Sequence, residues 1–229
     1  MTRTYFVTGT DTEVGKTAIS CAVLEAARRA GLTTGAVKPV AAGCDSEGRN
    51  EDALALMRSM SLDLPYSQVN PVALQPAIAP HIAAEQAGRR LQADRLAGLC
   101  RGVMGLGADL VLVEGAGGWR VPLGPRETFA DIATTLQAEV ILVVAMRLGC
   151  INHALLTAEA IQRDGLRLAG WVANQPGPEM ACHRENLDTL ARWLPAPLLG
   201  EVPFQPPFDP VRASQHIDLE SLFSGVSQA

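Results

Sequence analysis

Aromatic residues are scarce in this sequence, at 4% of the chain, and no run of basic residues occurs in a chain of net charge −5. The second absence disfavours a nucleic-acid partner, which needs a basic footprint. Long apolar runs are missing as well. The longest, such as "VILVVAM", fall far short of the roughly 20 residues that span a bilayer, which predicts no membrane association. The chain turns polar at Thr8, so no signal-peptide core is expected. The five cysteines form no C-x-x-C pair, and none of the four histidines has zinc-ligand spacing to a cysteine. An odd, scattered set of that kind predicts reduced thiols in a cytoplasmic protein. What is present is 48% hydrophobic residues in a chain of 229. That suits one α/β domain over residues 1–229 with a substantial core.

Apolar runs alternate with segments of helical period. "TYFVTG", "TGAVKPV", "DLVLVEGAGG", "EVILVVA", "RLAGWVAN" and "PLLGEVPF" predict strands. Helices are expected over Gly15 to Ala30, in "DALALMRSM", over Ile82 to Gly88, Leu91 to Gly105 and Asn152 to Arg163, and up to Trp193. Residues 61–80 hold several prolines and no clear period, and predict a long connection. A polar tail follows Phe204. Most strands are solidly apolar, so both sheet faces are expected to be covered, as in a parallel sheet with helices on each side. Ligands then sit beyond the carboxyl ends of the strands.

"GTDTEVGKT", Gly9 to Thr17, lies between the first strand and the first helix, which is the context a phosphate loop requires. Its N–H groups would face an anion. Lys16 would reach the β- and γ-phosphates, and the Thr17 hydroxyl would ligand Mg²⁺, which prefers oxygen. The bland alternative is a glycine turn capped by Thr17 with Lys16 solvated. Six steps separate Gly9 from Gly15 where the common loop has five, and Asp11 and Glu13 add negative charge. Partition-type ATPases carry a lysine where Asp11 stands, so a partition switch is disfavoured.

"LVLVEGAGG" puts Glu114 at the carboxyl end of a buried strand, where a Walker B acid holds or orients Mg²⁺. Gly115, Gly117 and Gly118 would allow close backbone approach to a ligand. Lys38 ends the apolar "AVKPV", where an ammonium needs a partner or snorkels to the edge. Asp52 opens "DALALM" as a further candidate metal ligand, although alone it would be an ordinary first-turn acid.

Together these segments resemble dethiobiotin synthetase. The resemblance rests on "YFVTGTDTEVGKT", "KPVA", "DALAL", "PHI", "LVLVEGAGGW", "LGCINHALLTAEAI", "LAGWVAN" and "PAPLLGE-P", in order from residue 5 to about residue 204. The tail from residue 205 to 229 matches weakly. The resemblance implies a P-loop fold, a homodimer, and closure of a ureido ring from 7,8-diaminopelargonate, CO₂ and ATP through a carbamate and a mixed anhydride. It implies Lys38, Lys16 and Thr12 as catalytic residues, and Mg²⁺ on Thr17, Asp52 and Glu114. ATP would meet Glu13, Val14, Gly15, Lys16, Thr17 and Ala18 on the loop, and Gly115, Ala116 and Gly117 beyond Glu114. Asn174 and Gln175 would read the base, flanked by Pro203, Phe204 and Gln205. Substrate would meet Thr12, Lys38, Ala42 and Gly118, with its carboxylate on Cys150, Ile151 and Asn152 across the subunit interface. Two positions depart from the family's pattern. Ala42 stands where a serine is usual, which removes one hydrogen bond. Gln175 stands where an aspartate is frequent; because glutamine can also donate, weaker base discrimination is expected. A related amide-forming synthetase is a second reading, but such proteins carry an additional glutaminase domain.

Overall fold

The computed structural model describes residues 2–224. Eight strands and ten helices follow one another as β1 (Arg3–Gly9), α1 (Lys16–Arg29), β2 (Thr34–Val37), β3 (Val40–Ala42), α2 (Glu51–Ser59), α3 (Tyr66–Val69), β4 (Val72–Leu74), α4 (Pro80–Gln86), α5 (Ala93–Met104), β5 (Leu110–Gly118), α6 (Phe129–Leu136), β6 (Glu139–Ala145), α7 (Cys150–Arg163), β7 (Leu168–Asn174), α8 (His183–Trp193), β8 (Leu198–Val202), α9 (Pro210–Ser214) and α10 (Leu219–Ser224). Six strands form one parallel sheet in the order β2-β5-β1-β6-β7-β8. The expected α/β sheet is therefore present. β6 and β7 are buried along almost their whole length and β5 over its first six residues, which is why they read as continuous apolar runs rather than alternating ones.

Four features differ from the sequence expectation. "TGAVKPV" is not one strand: β2 stops at Val37, Pro39 interrupts, and β3 pairs with β4 in a separate two-stranded sheet. Residues 61–80 are not an unstructured connection, since they contain α3 and β4. α6 was not expected; its start is a capping box in which the Thr128 backbone N–H donates to Asp131 Oδ2. The polar tail folds into α9 and α10. Asp209 caps α9 by accepting from the backbone N–H groups of Val211 and Arg212. α9 packs on α1, Leu222 of α10 is buried, and the Tyr5 hydroxyl donates to the Leu222 carbonyl at 3.3 Å. Short amphipathic turns interrupted by proline give too little period to be read from the sequence.

Candidate functional site

β1 ends at Gly9 and α1 begins at Lys16, so the loop between them hangs at the carboxyl edge of the sheet. Gly15 adopts φ +88, and a Cβ there would come 2.1 Å from Asn174 Nδ2. Only glycine meets both conditions. Asn174 closes the loop from β7, donating from Nδ2 to the Val14 carbonyl at 2.8 Å. The Lys16 ammonium folds back to donate to the Asp11 carbonyl at 3.0 Å. The Asp11 carboxylate points elsewhere: Oδ1 accepts from the Thr12 N–H at 2.8 Å, and Oδ2 lies 3.1 Å from Arg147 Nη2. Arg147 thus offsets the loop's acidity from a position 136 residues away, a pairing with no local signal in the sequence.

Beside the loop stands a charged cluster. Glu114 is 0% exposed, and three side chains serve its carboxylate. Thr17 Oγ1 and Lys38 Nζ each donate to Oε1 at 2.7 Å, and Ser20 Oγ donates to Oε2 at 2.7 Å. Lys38 Nζ also meets Asp52 Oδ2 at 2.9 Å. A buried carboxylate is tolerated only when paired and fully hydrogen-bonded, and Glu114 is both. Ser20 was missed from sequence; it lies one turn beyond Lys16 on the face of α1 that meets β5, so helical spacing from the loop lysine would have found it.

The backbone around the cluster is equally fixed. The Lys38 N–H donates to the Val69 carbonyl at 2.8 Å, and the Asn70 amide donates to the Lys38 carbonyl at 2.7 Å. The α3–β4 segment therefore clamps Lys38 where β2 breaks. Asn50 caps α2 and accepts from the Asp52 N–H at 3.1 Å, which sets the Asp52 carboxylate at the helix start. Burial alone would lower the Lys38 ammonium, but Glu114 and Asp52 outweigh it and hold it at about 12. Burial likewise opposes ionisation of Asp52, and the Lys38 charge overcomes it, so Asp52 titrates below its usual value. Lys16 goes the other way: burial, then the Lys38 charge, lower it to about 8.

Lys16, Lys38 and Asp52 line a cavity of about 760 Å³, with Glu114 buried beneath them. Thr12, Glu13, Gly15, Lys16, Thr17 and Ala18 form its loop wall, Lys38, Ala42 and Asp52 its second wall, and Ala116 and Gly117 its third. Ala77, Ile78, Ala79 and Pro80 close it and were not expected from sequence. Gly117 has φ +63, and a Cβ there would sit 2.7 Å from Val121 and 3.3 Å from Thr12 Oγ1. Gly115 packs on the Phe6 ring and Gly118 on the Gly9 and Thr10 carbonyls, so both serve close backbone packing beneath the wall.

The remaining candidates lie outside that cavity. Cys150, Ile151 and Asn152 open α7. The Cys150 thiol is buried, which pushes its titration up, and Leu148 just before it is 94% exposed. Gln175, Pro203, Phe204 and Gln205 gather at the ends of β7 and β8, where Asn174 pairs in register with Val202. The Gln175 Nε2 donates to Glu201 Oε1 at 3.1 Å.

Two carboxylates and a hydroxyl form an oxygen-only donor set, which matches the preference of Mg²⁺. A cation already stands between those carboxylates, since the Lys38 ammonium bridges Glu114 and Asp52. Among the described residues no cluster of three His, Cys, Asp or Glu side chains offers an all-protein cage. Such a cage is not what Mg²⁺ needs beside substrate phosphates.

The chain matches a family model described as an AAA domain over residues 3–212. It is 58% identical over 225 residues to the ATP-dependent dethiobiotin synthetase BioD of Pseudomonas aeruginosa strain UCBPP-PA14, covering 97% of this chain and 99% of that one. It is 54% identical to ATP-dependent dethiobiotin synthetase BioD 1 of Escherichia coli O157:H7, covering 89% and 92%. Among solved structures it is similar to the septum site-determining protein MinD of Pyrococcus horikoshii OT3 in complex with Mg-ADP, with TM-score 0.60, 15% identity and coverage of 100% and 97%. The ParA family ATPase of Chlorobium tepidum TLS aligns with TM-score 0.56 at 15% identity, covering 98% and 90%. At that identity these two establish the P-loop fold alone.

Proposed function

Since the chain belongs to the family of ATP-dependent dethiobiotin synthetases, we propose that its cavity closes the ureido ring of dethiobiotin from 7,8-diaminopelargonate and CO₂. ATP is the co-substrate, and ADP and phosphate are released. The observation that carries this assignment to the cavity is the convergence of Lys16, from the start of α1, and Lys38, from just past the end of β2, on one space beside the phosphate loop. Three anionic groups must gather there: a carbamate, a triphosphate and the anhydride between them.

Mg²⁺ held by Thr17, Asp52 and Glu114 would neutralise charge on the β- and γ-phosphate oxygens. The chain's own residues do the rest. One amine of the substrate attacks the carbon of CO₂ and loses a proton to become a carbamate. Both amines must be neutral to react, and the ammonium groups of Lys16 and Lys38 disfavour their protonation. A carbamate is a weak nucleophile that needs positioning more than a base. Lys38 supplies a fixed charge to the carbamate oxygens, because Glu114 and Asp52 hold it ionised. A carbamate oxygen attacks the γ-phosphorus and ADP leaves, with Lys16 and the loop N–H groups taking up the charge. The second amine then attacks the carbonyl carbon, phosphate departs and the ring closes. Thr12, at the cavity wall, would offer its hydroxyl to nucleotide and substrate.

The substrate carboxylate is assigned to the start of α7 in a second copy of the chain, giving a homodimer. Cys150, Ile151 and Asn152 there stand beside the exposed Leu148, an apolar side chain that a second copy would cover. A cytoplasmic location fits this chemistry; among the described residues no helix is long and apolar enough to cross a membrane. The deciding experiment incubates the purified protein with diaminopelargonate, bicarbonate, Mg²⁺ and ATP. Dethiobiotin is expected by mass spectrometry, with ADP formed in equal amount; ATP hydrolysis indifferent to the diamine would overturn the assignment.

Ala42 lines the substrate wall without a hydroxyl. Ala42→Ser should lower KM for diaminopelargonate by a few-fold to about tenfold with little change in kcat. A ground-state hydrogen bond of about 0.5–1.5 kcal/mol strengthens substrate and transition state alike. Steady-state kinetics at saturating ATP checks this, and a raised KM would show a pocket shaped around alanine.

Lys16 gives a pH signature. In the free protein it titrates near 8, because burial and Lys38 disfavour its charge. A bound triphosphate favours the charged form, so binding takes up a proton. ATP affinity should therefore be flat below pH 8 and fall by about tenfold per pH unit above it. At pH 8 about half a proton is taken up, measurable by calorimetry in two buffers of different ionisation enthalpy. Proton release, or no uptake, would contradict the assignment of Lys16 to the phosphates.

A further inference from the structure

Behind the second wall of the cavity runs a chain of hydrogen bonds that the mechanism does not use. Its hub is the Tyr66 hydroxyl at the start of α3. That hydroxyl accepts from the Asn50 backbone N–H at 2.8 Å and donates to Asn70 Oδ1 at 3.0 Å. The Asn70 amide in turn donates to the Lys38 carbonyl at 2.7 Å and to the Val72 carbonyl at 3.3 Å. The Asn50 side chain extends the chain in the other direction. Its Nδ2 donates to the Ala42 carbonyl at 3.3 Å, and its Oδ1 accepts from the Asp52 and Ala53 N–H groups at 3.1 and 3.3 Å. Both asparagines are buried. Every orientation is settled by its neighbours. Asn70 Nδ2 faces two carbonyls, so Oδ1 must face Tyr66. The Tyr66 oxygen already takes the proton of a backbone N–H, so its own proton goes to Asn70. Burial pushes the titration of Tyr66 up, which keeps that proton in place.

Lys38, Ala42 and Asp52 make up that second wall, and each is tied to this chain. They come from three places: just past β2, the end of β3 and the start of α2. β2 pairs with β5 and β3 with β4, so the sheets alone do not set these side chains relative to one another. Lys38 Nζ meets Asp52 Oδ2 at 2.9 Å, and the chain leads from the Asp52 N–H through Asn50, Tyr66 and Asn70 back to the Lys38 carbonyl. The ion pair is thus closed into a ring, held at its backbone as well as at its charges. We propose that the Tyr66 hydroxyl is a positioning group for ring closure: through Asn50 and Asn70 it fixes Lys38, Ala42 and Asp52 in one geometry, and so keeps the Lys38 ammonium in the place the carbamate requires. The inference rests on Lys38 serving the carbamate. A misplacement of about 1 Å can cost on the order of 10² in rate, so a group that never touches substrate can still govern turnover.

The test is Tyr66→Phe, alone and combined with Lys38→Gln. The substitution removes one oxygen, which leaves the Asn50 N–H without its acceptor and Asn70 Oδ1 without its donor. The kcat for dethiobiotin should fall by about tenfold or more. ATP affinity, read by calorimetry without diaminopelargonate, should hold, because the phosphate loop forms a different wall. The melting temperature should drop as well. A purely structural role predicts that drop too, so the double variant decides. In the Lys38→Gln background no ammonium is left to place. Tyr66→Phe should then cost under about twofold in kcat while still lowering the melting temperature. A structural role would cost the same factor in both backgrounds. Asn70→Ser withdraws the donor from the Lys38 carbonyl; it should show the same coupling, and it serves if Tyr66→Phe does not fold. If Lys38→Gln closes the ring at the wild-type rate, the role of Lys38 falls and this inference with it. If Lys38→Gln is slow while folded Tyr66→Phe turns over like the wild type, or costs equally in both backgrounds, the inference alone is overturned.

Discussion

Replacing Lys38 by glutamine will lower the rate of ring closure by about 10²–10³, the usual cost of removing one preorganised charge contact at a reacting centre. Glutamine keeps an N–H to offer Glu114 but brings no charge to the carbamate. ATP binding should change only a few-fold, because Lys16 and the loop N–H groups are separate from the substitution. The variant should also melt earlier. Removing one partner of a buried ion pair costs about 3 kcal/mol or more, and the Lys38 side chain is almost entirely buried. Added Mg²⁺ should restore part of that loss, since it supplies another cation to Glu114 and Asp52. Single-turnover kinetics, ATP calorimetry and thermal melts with and without Mg²⁺ check the three parts. Turnover close to that of the wild type would remove Lys38 from the chemistry.

Glu114→Gln should produce the other large effect. Glu114 accepts from Thr17, Ser20 and Lys38 and has no exposure to water. An amide has one oxygen for those three donors, and its NH₂ group would face one of them. The expected outcome is a loss of about 3 kcal/mol in stability and a rise of at least about tenfold in the Mg²⁺ concentration for half-maximal activity, by analogy with lost metal partners elsewhere. Asp52→Asn is the informative contrast. Its side chain is 46% exposed, so losing its pair with Lys38 should cost under about 1 kcal/mol while still weakening Mg²⁺ dependence. Denaturant melts and Mg²⁺ titrations of both variants decide. Equal stability losses would show that burial does not set the difference, and unchanged Mg²⁺ curves would remove both carboxylates from the metal site.

The groups readable from sequence share one property: each is defined by its own neighbours in the chain. Lys16 and Thr17 follow a strand and a glycine; Lys38 and Glu114 each end an apolar run. The parallel sheet was legible for the same reason, since burial on both faces leaves an unbroken apolar string. What was hidden depends on partners far away in sequence. Residues 61–80 look featureless because their role is to clamp Lys38 through Val69 and Asn70. Asp11 looks like unbalanced charge until Arg147 is placed beside it. Gln175 looks like a two-way hydrogen-bonding residue until Glu201 claims its NH₂ group. The last two helices are only five and six residues long, too short to show a period, and the site they fill against α1 explains them.

The position of β1 in the sheet has a consequence for how the protein is made. β1 lies between β5 and β6, and its partners begin at Leu110 and Glu139. The ribosome therefore releases the "GTDTEVGKT" loop long before either neighbour exists. At about 5–20 residues per second the delay is several seconds or more. During that time β1 has two unpaired edges and an apolar sequence, the condition in which a nascent chain is most open to chaperones or to aggregation. Nucleotide cannot act as an early template, because Asn174, which closes the loop, is synthesised later still. A fragment ending before β5 would contain every residue of the phosphate loop and neither of the strands that pair with β1.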